Sequence, residues 1–507
     1  MILKWKKIPV LLIIIFILAV GIRFLWFPGN VYFGFDQARD AFVSQQIYQN
    51  HDLKIIGPSA AREGLYHGPS YWYLIGPIYL LFKGNPAGPL GFLSLINALG
   101  VFLIFYLGKI LFNRKTALLA SLLYAFSFAQ TQYAMYFGNP APAVLTMMLF
   151  YLGWLFLIFR KNSWGWVLIG LNLGLSIQFE FFLIYLFAAM VLFLIFFRKE
   201  IKESFRWKSF GWGLLAFVFA ISNFILAEFK FGFKITKTLL GVFLPGQTPP
   251  AVKLATSTFT ERLGQEVLYN LFNFWPRIRE FLAIALILTL LFFLIRKTKL
   301  RKQMGFLLIW LGSNLFLDFF GPPQLYYVSI GLSVGVILFA AWLLMEAFNF
   351  KKIVFFFFLT IILLSNSLLI FRQNPKGSMK ELYVQEDMML KDEKKVLDKI
   401  YQDAAGKPFV INALTMPYKI KTTWAYLFNW YGQKKYGYLP FWGGEDVPGY
   451  PGNLPKSTSL KKPRYAIIEP KRGIPQNLQQ EFLDSENGYS YPVWETKIGD
   501  FVIQKRQ

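Results

Sequence analysis

Stretches of about twenty mostly apolar residues recur along this 507-residue chain, and they constrain its fold more than any other feature. A run of that length can cross a bilayer as a helix, because a helix satisfies every backbone polar group within the segment. The runs begin near residues 8, 88, 116, 141, 164, 181, 208, 281, 304, 325 and 353, so the pattern predicts about eleven spans. The stretch "GPSYWYLIGPIYLLF", residues 68 to 82, is interrupted by Pro69 and Pro77 and reads as a membrane-surface or re-entrant segment. Composition agrees: 55% of residues are hydrophobic and only 16% charged, where a soluble domain carries about 25%.

The formal charge of +25 does not indicate a nucleic-acid partner. The basic residues sit in short clusters between apolar runs and follow no nucleic-acid-binding pattern. They alternate instead: Lys4, Lys6 and Lys7; Arg114 and Lys115; Arg160 and Lys161; Arg198 to Lys208; Arg296 to Lys302; Lys351 and Lys352. Under the positive-inside rule this expects a multi-pass protein of the cytoplasmic membrane with its N-terminus in the cytoplasm. The loops at residues 28–87 and 229–280 and everything after residue 372 then face outward. "MILKWKK" followed by a long apolar run reads as an uncleaved anchor. The chain has no cysteine, so thiolate chemistry and disulfides are excluded.

After Arg372 the composition shifts to mixed charge with Gly and Pro. "EDMMLKDEKKVLDKIYQDA" has helical spacing, "KPFVINAL" and "PRYAIIEP" read as buried strands, and "VWETKIGDFVIQKR" as a terminal hairpin. The fold class expected is therefore an all-α polytopic membrane domain, residues 1–371, followed by an extracytoplasmic α/β domain, residues 372–507. "WAYLFNWYGQKKYGYLPFWGG" in the latter reads equally as a core helix with a surface loop and as a sugar-stacking surface. "FFFF" at 355 to 358 is lipid-facing filler.

Carboxylates near hydrocarbon cost several kcal/mol unless paired or hydrated, so their gathering marks a functional site. Asp36, Asp40, Asp52 and Glu63 lie in the first outer loop with both histidines, His51 and His67; Glu180, Glu228, Glu280 and Asp318 fall at outer span ends, and Glu261 and Glu266 in the second outer loop. In "FGFDQARDAFVSQQI", residues 33 to 47, Asp36 reads as a helix N-cap, with Arg39 and Asp40 following on the same face. A carboxylate there can accept a proton or bind a cation; the plainer reading is that it only caps. Glu180 caps a span end, pairs with a base, or serves the site; Asp318 is a helix-end residue or a functional one; Tyr326 and Tyr327 read as interfacial belt, with Tyr327 retained as a candidate contact.

The order of "FGFDQARD", "EGLYHGPSYWYLIGP", "NRKTALLASLLYAFS" and "MYFGNPAPAV" resembles the GT-C superfamily of membrane glycosyltransferases, in the branch of protein O-mannosyltransferases and lipid A aminoarabinose transferases. The resemblance covers residues 1 to 200 well and the later spans in outline. It implies a polyprenyl-phosphate sugar donor, a protein, lipid or polysaccharide acceptor, and inverting transfer within the lipid bilayer's outer face. It also implies Asp36 as catalytic carboxylate and Arg39 as a holder of the donor phosphate, with Asp40 beside them. His67 falls where a relative has a metal-contacting acid. Gln37 stands in place of the usual Glu, Asn139 where several relatives have Asp, and Gln178 near the place of a Lys. A divalent metal ion thus stays an open question, with Asp36 and His67 as its candidate ligands. Arg39, Arg62, Arg262, Arg277 and Arg279 are the cations available to a phosphate. A lipid-linked sugar or anionic-solute transporter is the alternative; it predicts paired half-repeats and mid-span charges, and the sequence shows neither.

Overall fold

The computed structural model describes residues 9–60, 64–243, 256–273, 276–379, 385–457 and 463–507. The chain divides into two compact units. One comprises Met1–Leu25, Lys54–Tyr71 and Leu93–Arg372; the other comprises Trp26–Leu53, Trp72–Phe92 and Gln373–Gln507.

The first unit is a helical bundle. Six described helices are long and apolar enough to cross a membrane: Ala87–Leu111, Ala143–Arg160, Pro276–Arg296, Thr298–Phe320, Ser333–Phe350 and Lys352–Lys376. Two bent pairs, Phe181–Phe196 with Arg198–Ser204 and Trp207–Ala220 with Ser222–Lys230, raise the number to eight if each is one span. The expected eleven are thus not confirmed among the described residues. The remaining apolar runs fold as shorter helices, Val10–Phe24, Arg114–Phe126 and Gly165–Phe179. The stretch at 68 to 82 forms a 12-residue helix, Ser70–Leu81, with Pro77 inside it.

Small residues let these helices approach closely, as bilayer packing requires. Gly170 is the clearest case, since a Cβ there would come within 1.9 Å of the Gly213 carbonyl on the neighbouring helix. Tyr151 stacks on Trp310 at 3.8 Å. By contrast, only 11% of the Pro276–Arg296 helix's apolar stretch is buried within the protein, and Phe281, Ile284, Leu288 and Phe292 stand exposed. Phe356, Phe357 and Phe358 are exposed likewise. An outer shell of this kind suits lipid.

The second unit carries a five-stranded sheet, β1 (Val410–Leu414), β2 (Phe441–Trp442), β3 (Arg464–Ile468), β4 (Pro492–Ile498) and β5 (Phe501–Arg506), in the order β2-β1-β3-β5-β4. β2, β1 and β3 run parallel, while β5 is antiparallel to both β3 and β4. β1 and β3 are the two expected buried strands, and β4–β5 is the expected hairpin. The helix Leu390–Ala404 lies where helical spacing placed it. Leu414, Ala466 and Ile468 form a core with Ile474 and Phe482, the last from the helix Gln476–Tyr489. Across it, Arg464 donates to both oxygens of buried Glu486, at 2.8 and 2.6 Å.

The two ends of the first loop, residues 28–53 and 72–87, belong to this same unit. The Phe33 amide donates to the Met388 carbonyl at 2.8 Å and that of Leu390 to Val31 at 3.0 Å. Tyr426 donates to the Gly84 carbonyl at 2.6 Å and accepts from Gln45 at 3.0 Å. "WAYLFNWYGQKKY" is accordingly a core helix for Trp424, Tyr426 and Leu427, which are buried, while Trp430 is half-buried at its edge.

Candidate active site

The first-loop helix Phe35–Gln49 opens without a side-chain N-cap. Gly34 occupies that position, and its amide donates to the Gln37 Oε1 at 3.1 Å. This corrects the expectation that Asp36 caps the helix. Gln37 reaches back three residues and does so, and Asp36 is released into the first turn. The Asp36 side chain is 64% exposed and accepts from Arg39 Nη1 at 2.6 Å.

Arg39 bridges two carboxylates. Its Nε and Nη2 donate to Asp40 Oδ1 at 3.0 and 2.8 Å, and the Trp72 indole donates to the same oxygen at 2.7 Å. Asp40 is almost fully buried. Burial pushes its carboxyl up from the ordinary value, and Arg39 partly offsets this. Burial opposes the Arg39 charge, yet Asp40 and Asp36 outweigh it and raise the guanidinium. The result is a guanidinium anchored on a buried acid and offering its remaining edge to an exposed one. Trp72 has no role in the sequence reading; its place four residues after the Gly68-Pro69 turn was the available signal.

Four other predicted residues meet within the helical bundle, at the break after the helix Gly165–Phe179. His67 accepts the Phe181 amide at 3.3 Å through Nδ1. Gly68 donates to the Gln178 carbonyl at 2.8 Å, so closely that a Cβ on Gly68 would overlap the Gln178 side chain. Gln178 accepts from Ser70 at 3.0 Å and donates to the Ala220 carbonyl at 2.6 Å and to Asn223. Asn139 donates to the Phe179 carbonyl at 2.7 Å. Glu180, fully buried, caps the next turn by accepting from the Phe182 amide at 3.0 Å through Oε1; its Oε2 has no hydrogen-bond partner among the described residues.

Of the other candidates, Asp318 accepts from Arg262 Nη2 at 2.6 Å and from the Phe259 amide at 3.1 Å. Arg262 is buried and also donates to Asn314 at 2.8 Å and the Ser257 carbonyl at 2.7 Å, so that cation is committed. Arg279 pairs with Glu261. Tyr327 is half-buried, stacked on Tyr136 at 6.0 Å. Arg62 lies outside the described residues, as does Glu63. No three acidic or histidine side chains group as a metal site among the described residues. The donor set at Asp36 does not fit a tightly held divalent ion, since both nearby carboxylates already share one guanidinium.

A buried polar chain went unforeseen. Glu266, expected in an outer loop, sits on the helix Phe259–Asn270, whose Thr258–Glu261 capping box was its legible sign. Its carboxylate accepts from Tyr133 at 2.7 Å, Asn270 at 3.0 Å and Tyr326 at 3.3 Å. Tyr326 is therefore a buried network member, not an interfacial belt residue. From Asn270 the chain continues through Ser333 (2.8 Å), Gln130 (2.8 Å) and Asn97 (3.2 Å) to buried Arg23 (2.8 Å).

Residues 66–225 match the family described as dolichyl-phosphate-mannose-protein mannosyltransferase. No curated protein sequence matches the chain. Solved structures that share the fold include these three. ArnT from Cupriavidus metallidurans, in its apo state, is similar over 97% of each chain at a TM-score of 0.58 and 12% identity. The Archaeoglobus fulgidus oligosaccharyltransferase, also apo, is similar over 83% of this chain at 0.54 and 13% identity. The chain spans 64% of that protein's length. The oligosaccharyltransferase AglB from the same organism, in complex with an inhibitory peptide and a dolichol-phosphate, is similar over 92% of this chain and 70% of its own at 0.51 and 15% identity. Residues 66–225 thus carry the match to the mannosyltransferase family, and the chain shares its fold with ArnT and with the Archaeoglobus oligosaccharyltransferase.

Proposed function

We propose that this protein is an integral membrane glycosyltransferase that passes a sugar from a polyprenyl-phosphate carrier to an acceptor at the outer face of the cytoplasmic membrane. Transfer inverts the configuration at C1, and Asp36 is the general base. One observation carries this reading: Asp36 is exposed, relieved of capping by Gln37, and gripped by an arginine whose other edge is anchored on buried Asp40.

In this reading the acceptor hydroxyl or amine gives its proton to Asp36 as it attacks C1. The bond from C1 to the donor phosphate breaks, and the phosphate leaves with the electron pair. Arg39, whose planar fork suits phosphate oxygens, stabilises the charge developing there. Asp40 and Trp72 fix the guanidinium and take no part in bond making. A lipid-phosphate donor is consistent with the dolichol-phosphate held by the AglB relative. Residues 1–371 would carry the lipid-facing part and residues 372–507 would cover the site or position the acceptor. The junction of His67, Asn139, Gln178 and Glu180 would contact substrate through the unpaired Glu180 oxygen.

The test is transfer from radiolabelled polyprenyl-phosphate sugars in membrane fractions. Asp36→Asn at normal expression should abolish product. Undiminished transfer would refute the base role, and lipid movement without product would favour a transporter.

A further inference from the structure

The unit that holds the acid cluster also holds a cleft of about 420 Å³ at the other end of the same helix. Its walls come from the last two turns of Phe35–Gln49, from the turn at Lys83 and Gly84, and from the helical segment carrying Tyr426 and Trp430. At 1.5 Å per residue, Gln45 to Gln49 lie about 14–20 Å along the helix from Asp36. The cleft is therefore not the reaction centre.

The lining has a specific chemistry. Gln46 and Gln49 offer amide donors and acceptors, while Gln45 and Asn429, whose amide nitrogens donate to Ala41, Tyr426, Ala425 and Asn453, offer acceptors. Trp430 is half-buried and stacked on Tyr426 at 26°, which presents a fixed aromatic face. Amides beside a fixed aromatic face suit sugar rings, whose hydroxyls need both donors and acceptors while their C–H faces are apolar. No carboxylate lines the cleft, and two exposed lysines, Lys83 and Lys434, stand at it without an ion-pair partner among the described residues. Lys83 has φ of 51°, a left-handed conformation that asparagine or glycine adopts at lower cost, so a cation is being presented at a strained turn. Tyr426 secures that turn through the Gly84 carbonyl.

We infer that this cleft binds an acidic saccharide chain, one bearing carboxylate or phosphate groups, as the remote part of the acceptor. The role as acceptor rests on the glycosyltransferase reading; the binding does not. The full-length protein in nanodiscs, without donor, is titrated with fluorescent oligogalacturonate, with pentamannose phosphate and with neutral maltohexaose. At least one acidic probe binds saturably and at least tenfold more tightly than maltohexaose, the two acidic arms separating carboxylate from phosphate as the charge source. Trp430→Ala weakens that binding at least tenfold and Trp430→Phe restores most of it. Lys83→Gln with Lys434→Gln, both at exposed positions, removes the preference for the acidic probe and flattens its salt dependence. Asp36→Asn leaves binding unchanged. Absence of saturable binding by either acidic probe, or binding that survives both the tryptophan and the lysine changes, overturns the proposal. Intact transfer without such binding overturns the cleft alone, whereas intact binding without any transfer overturns the glycosyltransferase reading and leaves the cleft.

Discussion

Asp36 and Glu266 are both acids in a chain poor in acids, yet they are held in opposite ways. Asp36 is largely exposed and has a single strong partner, Arg39. Glu266 is fully buried, accepts from two tyrosines and an asparagine, and is joined to its distant cation Arg23 only through neutral side chains. A buried carboxylate with every contact satisfied costs a great deal to disturb and has no oxygen left for a reactant. An exposed one contributes little to folding and can change partner. On the proposed reading, the contrast separates an acid kept for structure from one kept for chemistry.

The largest effect should be the loss of transfer in Asp36→Asn, about 10²–10⁴-fold, the usual contribution of a positioned general base. Its thermal midpoint should stay at the wild-type value, and a parallel collapse of stability would erase the contrast. Glu266→Ala should do the reverse. Leaving two tyrosine hydroxyls and the Asn270 amide without their acceptor should cost about 3–5 kcal/mol, read as a lowered melting temperature in detergent, whereas Glu266→Gln is milder. Trp72→Phe removes a donor from buried Asp40 and should cost about 1.5–3 kcal/mol. Because Asp40, the anchor of Arg39, is then held less firmly, transfer should fall too, with KM for the donor rising more than kcat falls.

The smallest effect concerns a third kind of carboxylate. Glu469 is buried in the α/β sheet and accepts from Gln385, the Met416 amide and the Trp424 indole, and burial still pushes it up from 4.5 to about 7. Burial pushes neighbouring Glu393 the same way, with Glu469 adding to the effect. The folded state therefore favours the protonated forms. That contribution to stability is complete below about pH 4.5 and is lost as pH rises through about 7. The melting temperature should decline across that window, and Glu469→Gln should flatten the decline.

Local patterns reported local structure well. The helix Leu390–Ala404, strands β1 and β3 and the β4–β5 hairpin follow from periodicity over a few residues, and the acid cluster from three residues one helical turn apart. The reading failed where the deciding partner was remote or the cue ambiguous. Asp36 looked like a cap because capping aspartates are common, and nothing in the sequence says that Gln37 turns back to Gly34. The chain from Arg23 to Glu266 was invisible because its members are single polar residues inside apolar runs. Its links join positions as far apart as 203 residues, in the case of Gln130 and Ser333. The expected span number exceeds the six to eight found among the described residues because the apolar runs near 8, 116 and 164 fold as helices of 15, 13 and 15 residues, and hydropathy does not register where a helix stops.

The hydrogen bond from Phe33 to Met388 has a consequence for biosynthesis. At 5–20 residues per second, the ribosome needs roughly 20–70 s to travel from one to the other. Throughout that interval the segment bearing Asp36 waits for a partner not yet translated. On the proposed reading, a nascent chain halted before Met388 should therefore be inert.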